Sequence, residues 1–116
     1  MADPLTRFVD GETTAIDYTP DADVTGGDVV VIGNTVFFAK LDIDADDLGA
    51  LHVGGVWDVP KSTGTGETWT AGDTVYWDAE NEVATASATG NEKIGICVLD
   101  AAADDEYVRV LSIPQA

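Results

Sequence analysis

The chain has 116 residues, which suits one domain able to bury roughly two thirds of the surface that its unfolded form exposes. Twenty-two acidic residues against five basic ones give a formal net charge of −17, so no nucleic acid partner is expected: Arg7, Lys40, Lys61, Lys93 and Arg109 are all the chain could offer to phosphates. One cysteine excludes an internal disulfide, one histidine excludes a multi-histidine metal site, and no stretch reaches the roughly 18 apolar residues of a membrane span, so no membrane partner is expected either.

Residues 1–14 carry little periodicity. Their one apolar and cationic patch, Leu5-Thr6-Arg7-Phe8-Val9, reads either as an N-terminal arm that reaches out to a partner or as an edge strand of the chain's own sheet. Neither a basic leader nor an apolar h-region is present, and no export signal is expected. Residues 15–113 hold the β pattern, and 114–116 read as a tail. Ala15 to Thr19 alternates as a strand should, and Pro20 to Asp23 ends it with a turn. Thr25-Gly26-Gly27-Asp28 turns again before Val29 to Ile32, a wholly β-branched run too short for a buried helix and suited to a core strand. Gly33-Asn34 then supplies a hairpin loop tolerant of positive φ, and Val36 to Ala39 resumes the run.

Asp42-Ile43-Asp44-Ala45-Asp46-Asp47 has carboxylates at alternate positions, as a calcium loop does. The pattern fails at its sixth position, Asp47 where a sharp turn needs Gly, and at its twelfth, Val53 where a bidentate Glu is needed. It reads as a solvated acidic loop. Leu48 to Val59 is extended, broken at Gly54-Gly55 and stopped by Pro60, and Lys61 to Gly66 is a flexible connection.

The turn and its strand then return 45 positions on, as Thr70-Ala71-Gly72-Asp73-Thr74-Val75. In this echo Val83 to Ala86 stands for Val36 to Ala39, and Lys93 to Val98 for Leu48 to Val53, which suggests two similar hairpin-plus-strand units on one core. Ala101 to Asp105 reverses the chain, and Tyr107 to Leu111 closes the sheet. No long window shows a helical period. The fold class is therefore all-β: a small single-domain sandwich or barrel of about eight to ten short strands.

Chemistry is hard to find. Cys97 lies in the apolar run Ile94 to Leu99, where a buried, inert thiol is expected, and His52 stands alone beside Val53. No glycine-rich loop opens a helix, and nothing singles out a carboxylate pair, so a non-enzymatic role without cofactors follows. The acidity has three readings: self-repulsion that keeps the protein soluble, adaptation to a saline source, or complementarity to a basic partner surface.

The run from Asp17 to Lys61, with its Gly27-Asp28 turn, valine run and Gly55-Val56-Trp57-Asp58-Val59-Pro60-Lys61 segment, is followed by the Ala71-Gly72-Asp73 to Val75-Tyr76-Trp77-Asp78 unit and the Ile94-Gly95 strand. Together they resemble the small bacteriophage capsid decoration, or cement, proteins, long catalogued as a domain of unknown function. The resemblance spans about residues 15–112. It implies a β-rich structural protein on the outer surface of an icosahedral phage head, commonly a trimer at three-fold positions, that clamps neighbouring capsomers. The major capsid protein is then the partner, a homotrimer the expected assembly, and the virion surface the destination, reached from the host cytoplasm. No catalytic residues come with the family. Leu5, Arg7, Phe8 and Val9, which lie outside the resemblance, are the candidate capsid or inter-subunit contacts. A competing reading is a carbohydrate-binding or adhesive module that stacks sugars on Trp57, Trp69 or Trp77.

Overall fold

The computed structural model describes residues 5–114; Met1 to Pro4 of the expected arm and Gln115-Ala116 of the expected tail lie outside the described residues. Ten strands follow one another: β1 (Arg7–Asp10), β2 (Thr14–Tyr18), β3 (Val29–Ile32), β4 (Thr35–Phe38), β5 (Gly49–Val53), β6 (Val56–Pro60), β7 (Thr74–Asp78), β8 (Val83–Thr85), β9 (Glu92–Cys97) and β10 (Tyr107–Ser112). No helix occurs among the described residues. The strands form two antiparallel sheets, one of six in the order β1-β6-β10-β9-β7-β8 and one of four in the order β2-β5-β4-β3. The arrangement is sandwich-like, as one of the two expected all-β architectures.

Alternation explains why these segments are strands. In β6, β7 and β10 every second residue is buried and its neighbours are half-buried or exposed, because successive side chains leave a strand on opposite faces. The inward residues meet in one main core containing Phe38, Trp57, Val59, Trp69, Val75, Trp77, Ile94, Val108 and Val110. Burial of each large side chain contributes about 1.5–3 kcal/mol. A smaller cluster around Ala39, Ile43 and Leu51 supports the four-stranded sheet.

The internal echo is structural, and it runs deeper than the turn. The order β2-β5-β4-β3 in one sheet is repeated as β6-β10-β9-β7 in the other, with β1 and β8 added at the edges. Both turns carry the same bonds. Thr25 N–H donates to Asp28 Oδ2 (2.9 Å) and Thr70 N–H to Asp73 Oδ2 (2.9 Å); Gly26 N–H donates to Asp42 Oδ1 (2.7 Å) and Ala71 N–H to Asp100 Oδ1 (2.8 Å). Gly27 N–H reaches the Ala39 carbonyl and Gly72 N–H the Cys97 carbonyl, each at 2.6 Å. Gly27 and Gly72 hold φ of 96° and 100°, a region where a side chain would be strained.

These partners correct the register of the sequence comparison. Segment 97–105, CVLDAAADD, is the counterpart of segment 39–47, AKLDIDADD, with the Leu-Asp pair and the closing Ala-Asp-Asp identical in both. Hence β9 takes the place of β4 and β10 that of β5. Residues 83–86, matched above to Val36–Ala39, include β8, an added strand that pairs with the free side of β7. Its insertion lengthens the second half between β7 and β9, which hid the true offset.

Candidate functional site

The segment before β1 is tied to the first turn. Thr6, only 1% exposed, sends both its N–H (3.0 Å) and its hydroxyl (2.6 Å) to the Gly27 carbonyl. From there β1 runs antiparallel along β6, pairing Arg7 with Asp58, Phe8 with Trp57 and Asp10 with Val56. Val9 is the bulged residue of that ladder, with its side chain partly exposed. Phe8 meets the Trp57 ring edge-on, 5.1 Å between centroids at 70°. Gly55 makes the approach possible: a Cβ there would stand 2.9 Å from both Phe8 and Thr13.

Between β1 and the first turn lies a groove of about 580 Å³. Phe8, Trp57 and Ala39 give it apolar walls, Gly26 and Gly27 keep its turn side open, and Arg7, Lys40 and Asp42 complete its lining. The Lys40 ammonium sits 4.1 Å over the Phe8 ring and donates to Thr13 Oγ1 at 3.1 Å. Thr13 in turn bonds Nδ1 of His52 at 3.1 Å. The hydroxyl oxygen takes the lysine proton, and which of hydroxyl and Nδ1 donates to the other is set by the imidazole tautomer. Burial first, and then the Lys40 charge, hold the His52 pKa below its ordinary value of 6.5.

On the face of β6 opposite Trp57, Arg109 grips Asp58 with Nε at 3.0 Å and an η-nitrogen at 3.3 Å, which raises the guanidinium pKa through that hydrogen bond and then through the charge. Arg7 stands 3.8 Å from the same carboxylate and 5.5 Å over the Tyr107 ring, with its side chain 60% exposed. One carboxylate is thus shared by two guanidinium groups.

Of the residues singled out from sequence, Arg7 and Phe8 line the groove, Val9 faces solvent beside it, and Leu5 packs against the main core beside Val29 and Val31. Sequence reasoning missed Lys40, Gly26, Gly27 and Trp57 as members of the same site. Their available signal was slight: Lys40 is one of five cations and follows a strand directly.

The tryptophans cannot form a stacking platform. Trp57, Trp69 and Trp77 are 1%, 3% and 3% exposed, and the indole N–H groups of Trp57 and Trp69 donate to the Gly54 and Thr74 carbonyls. The Cys97 thiol donates to the Leu99 carbonyl, and burial pushes its pKa up, the reverse of an activated nucleophile. The acidic loop is tied down through backbone: Asp42 accepts from Gly26 N–H, and Ala45 N–H donates to Asp23 Oδ1 at 2.8 Å. No group of three metal-ligating side chains occurs among the described residues. What the groove can do is bind, through the partly exposed Phe8 ring and the Lys40 ammonium beside it.

A family model described as Phage cement protein matches residues 9–112. No curated protein matches the chain. Among solved structures the chain is similar to the N base of head fiber gp8.5 of bacteriophage phi29, at 13% identity over 88% of this chain and 95% of that one, with a TM-score of 0.47. At that distance the likeness carries no weight for fold or function.

Proposed function

The chain belongs to the phage cement protein family, a family of structural capsid proteins rather than enzymes, and from that premise we propose that it binds the outer surface of an icosahedral phage head and stabilises contacts between neighbouring capsomers. The family match carries this reading, since it spans β2 to β10 entirely and enters β1. The groove supports it as a surface site where the partly exposed Phe8 ring and the Lys40 ammonium of this acidic protein stand together. A homotrimer is the assembly proposed, because a closed three-fold ring matches the symmetry of a three-fold capsid position.

Co-sedimentation with purified expanded heads tests the reading. Saturable binding to the head exterior, with a higher temperature of head disruption when the protein is bound, is the expected result. Heads of the cognate phage that neither bind the protein nor gain stability from it would overturn the reading.

A further inference from the structure

Resting on the capsid reading and going further into it, we infer that the open edge of β3 takes an extended, cationic segment of the capsid protein as an added strand. Four strands end the two sheets: β1 and β8 in the larger, β2 and β3 in the smaller. Three of them carry features that discourage a further strand. β1 is bulged at Val9 and charged at Arg7 and Asp10, and β2 presents the exposed Asp17. β8 has three residues and is met from the side by Lys61 and by Ser62, whose N–H donates to the Ala84 carbonyl at 2.9 Å. β3 has none of these. It is Val-Val-Val-Ile, without charge, proline or bulge, and it ends on Ile32, 42% exposed.

Hydrogen-bond alternation identifies the groups at that edge. Ala39 N–H donates to the Asp28 carbonyl at 2.9 Å, and the pairing continues two residues on at Val30 with Phe37 and at Ile32 with Thr35. Because bonded and outward-facing residues alternate along an antiparallel pair, the N–H and C=O groups of Val29 and Val31 point away from β4. Among the described residues no backbone bond from beyond β4 reaches either of them. An extended chain supplies donors and acceptors at that spacing, and strand addition satisfies them.

The surroundings select the occupant. A cavity of about 230 Å³ lies beside Val29 and Val31, with Leu5, Asp28, Ala79 and Glu82 in its lining. Carboxylates line it and no cation does, on a chain of net charge −17. Asp28 is engaged with its own turn, Oδ2 accepting from Thr25 N–H, which leaves the exposed Glu82 to meet a partner. A Lys or Arg of the incoming strand can lay its aliphatic stem along the half-buried Leu5 and Val31 and bring its charge to Glu82. A second copy fits less well. It brings the same excess of negative charge, and β3 against β3 is a two-fold contact that makes dimers, not a three-fold ring.

The experiment is co-sedimentation of the full chain with purified heads for the wild type, Val31→Pro, Val31→Ala and Glu82→Lys, with thermal melts to show that each is folded. Proline at 31 removes an N–H that points off the sheet and so blocks strand addition, a substitution that edge strands tolerate. Val31→Ala loses comparable packing against the main core yet keeps the N–H. Head binding weakened roughly tenfold or more in Val31→Pro and in Glu82→Lys, and near wild type in Val31→Ala, is expected. Equal binding by the proline and alanine variants overturns the inference and leaves the capsid reading intact. Should Val31→Pro not fold, Glu82→Lys decides: unchanged binding overturns the cationic occupant. Heads that bind no wild-type protein overturn both readings. A wild-type dimer in analytical ultracentrifugation that Val31→Pro dissociates gives the edge to a second copy and overturns the capsid segment as its occupant.

Discussion

Phe38 and Trp57 stack across the two sheets, with ring centroids 4.3 Å apart and planes 11° from parallel. Phe38 belongs to β4 in the smaller sheet and Trp57 to β6 in the larger, so one ring pair joins the layers at the heart of the core. Phe8 then meets the same indole edge-on, which carries the aromatic packing out to the groove. Phe38→Ala should therefore cost about 3–5 kcal/mol, a large share of the ~5–15 kcal/mol that stabilises an ordinary domain. Urea unfolding checks it, with Phe38→Leu as the milder control.

Deleting residues 2–12 should lower the melting temperature. The deletion removes the buried Thr6 with its two bonds to Gly27, strips β1 from β6 and uncovers one side of Trp57. Phe8→Ala alone, with Thr6 and the β1 backbone kept, should produce a smaller loss, since Phe8 is 40% exposed. A melting temperature unchanged by the deletion would mean that β1 contributes nothing to the stability of the fold.

Acidification from about pH 7 to 5.5 should destabilise the protein through His52. A histidine whose folded pKa lies below its unfolded value binds fewer protons folded than unfolded in the interval between them. Stability from this group is therefore complete above 6.5 and declines as pH falls through that value toward the lower folded one. The cost is concrete: the protonated ring places a charge in a partly buried site and beside the Lys40 ammonium. Since His52 is the only histidine, His52→Gln should flatten stability against pH across this interval in chemical denaturation.

Raising salt from about 0.1 M to 1 M shortens the screening length from ~10 Å to ~3 Å. With a net charge of −17, relief of self-repulsion should outweigh the weakening of the Arg109–Asp58 pair, and the melting temperature should rise. Differential scanning fluorimetry across that range reads the sign directly.

Much of the fold was legible because its signals are local. The run Val29 to Ile32 and its Gly33-Asn34 loop became β3, its turn and β4 as expected, and the break at Gly54-Gly55 separates β5 from β6. The duplicated turn was legible too, since Thr-x-Gly-Asp needs its glycine for positive φ and its aspartate to take the first amide. What comes after that turn was misaligned. The partner of each turn is fixed by hydrogen bonds from Gly27 to Ala39 and from Gly72 to Cys97, and the β8 insertion makes those spacings unequal. The groove was legible only in part. Arg7 and Phe8 stood out as apolar and cationic residues in a polar segment, but β1 shows no alternation, all four of its residues being exposed. Lys40, Gly26 and Trp57 join them only through the packing of β1 against β6 and the first turn, a contact between distant parts of the chain.

The repeated strand order has a consequence for how the chain can be cut. Each half presents one apolar face and has nothing of its own to cover it, and a single sheet of four short strands with a bare face is marginal in water. The link between the halves is Gly54-Gly55, at φ of 87° and 74°, a sharp connection that itself buries little. Two peptides, residues 1–54 and 55–116, should each be largely unstructured alone and should regain the β-sheet circular dichroism of the intact protein when mixed in equal amounts. Such fragment complementation would make the intact chain the equivalent of two interlocking subunits fused at a pair of glycines; a peptide that folds unaided would show that one half is already complete without the other.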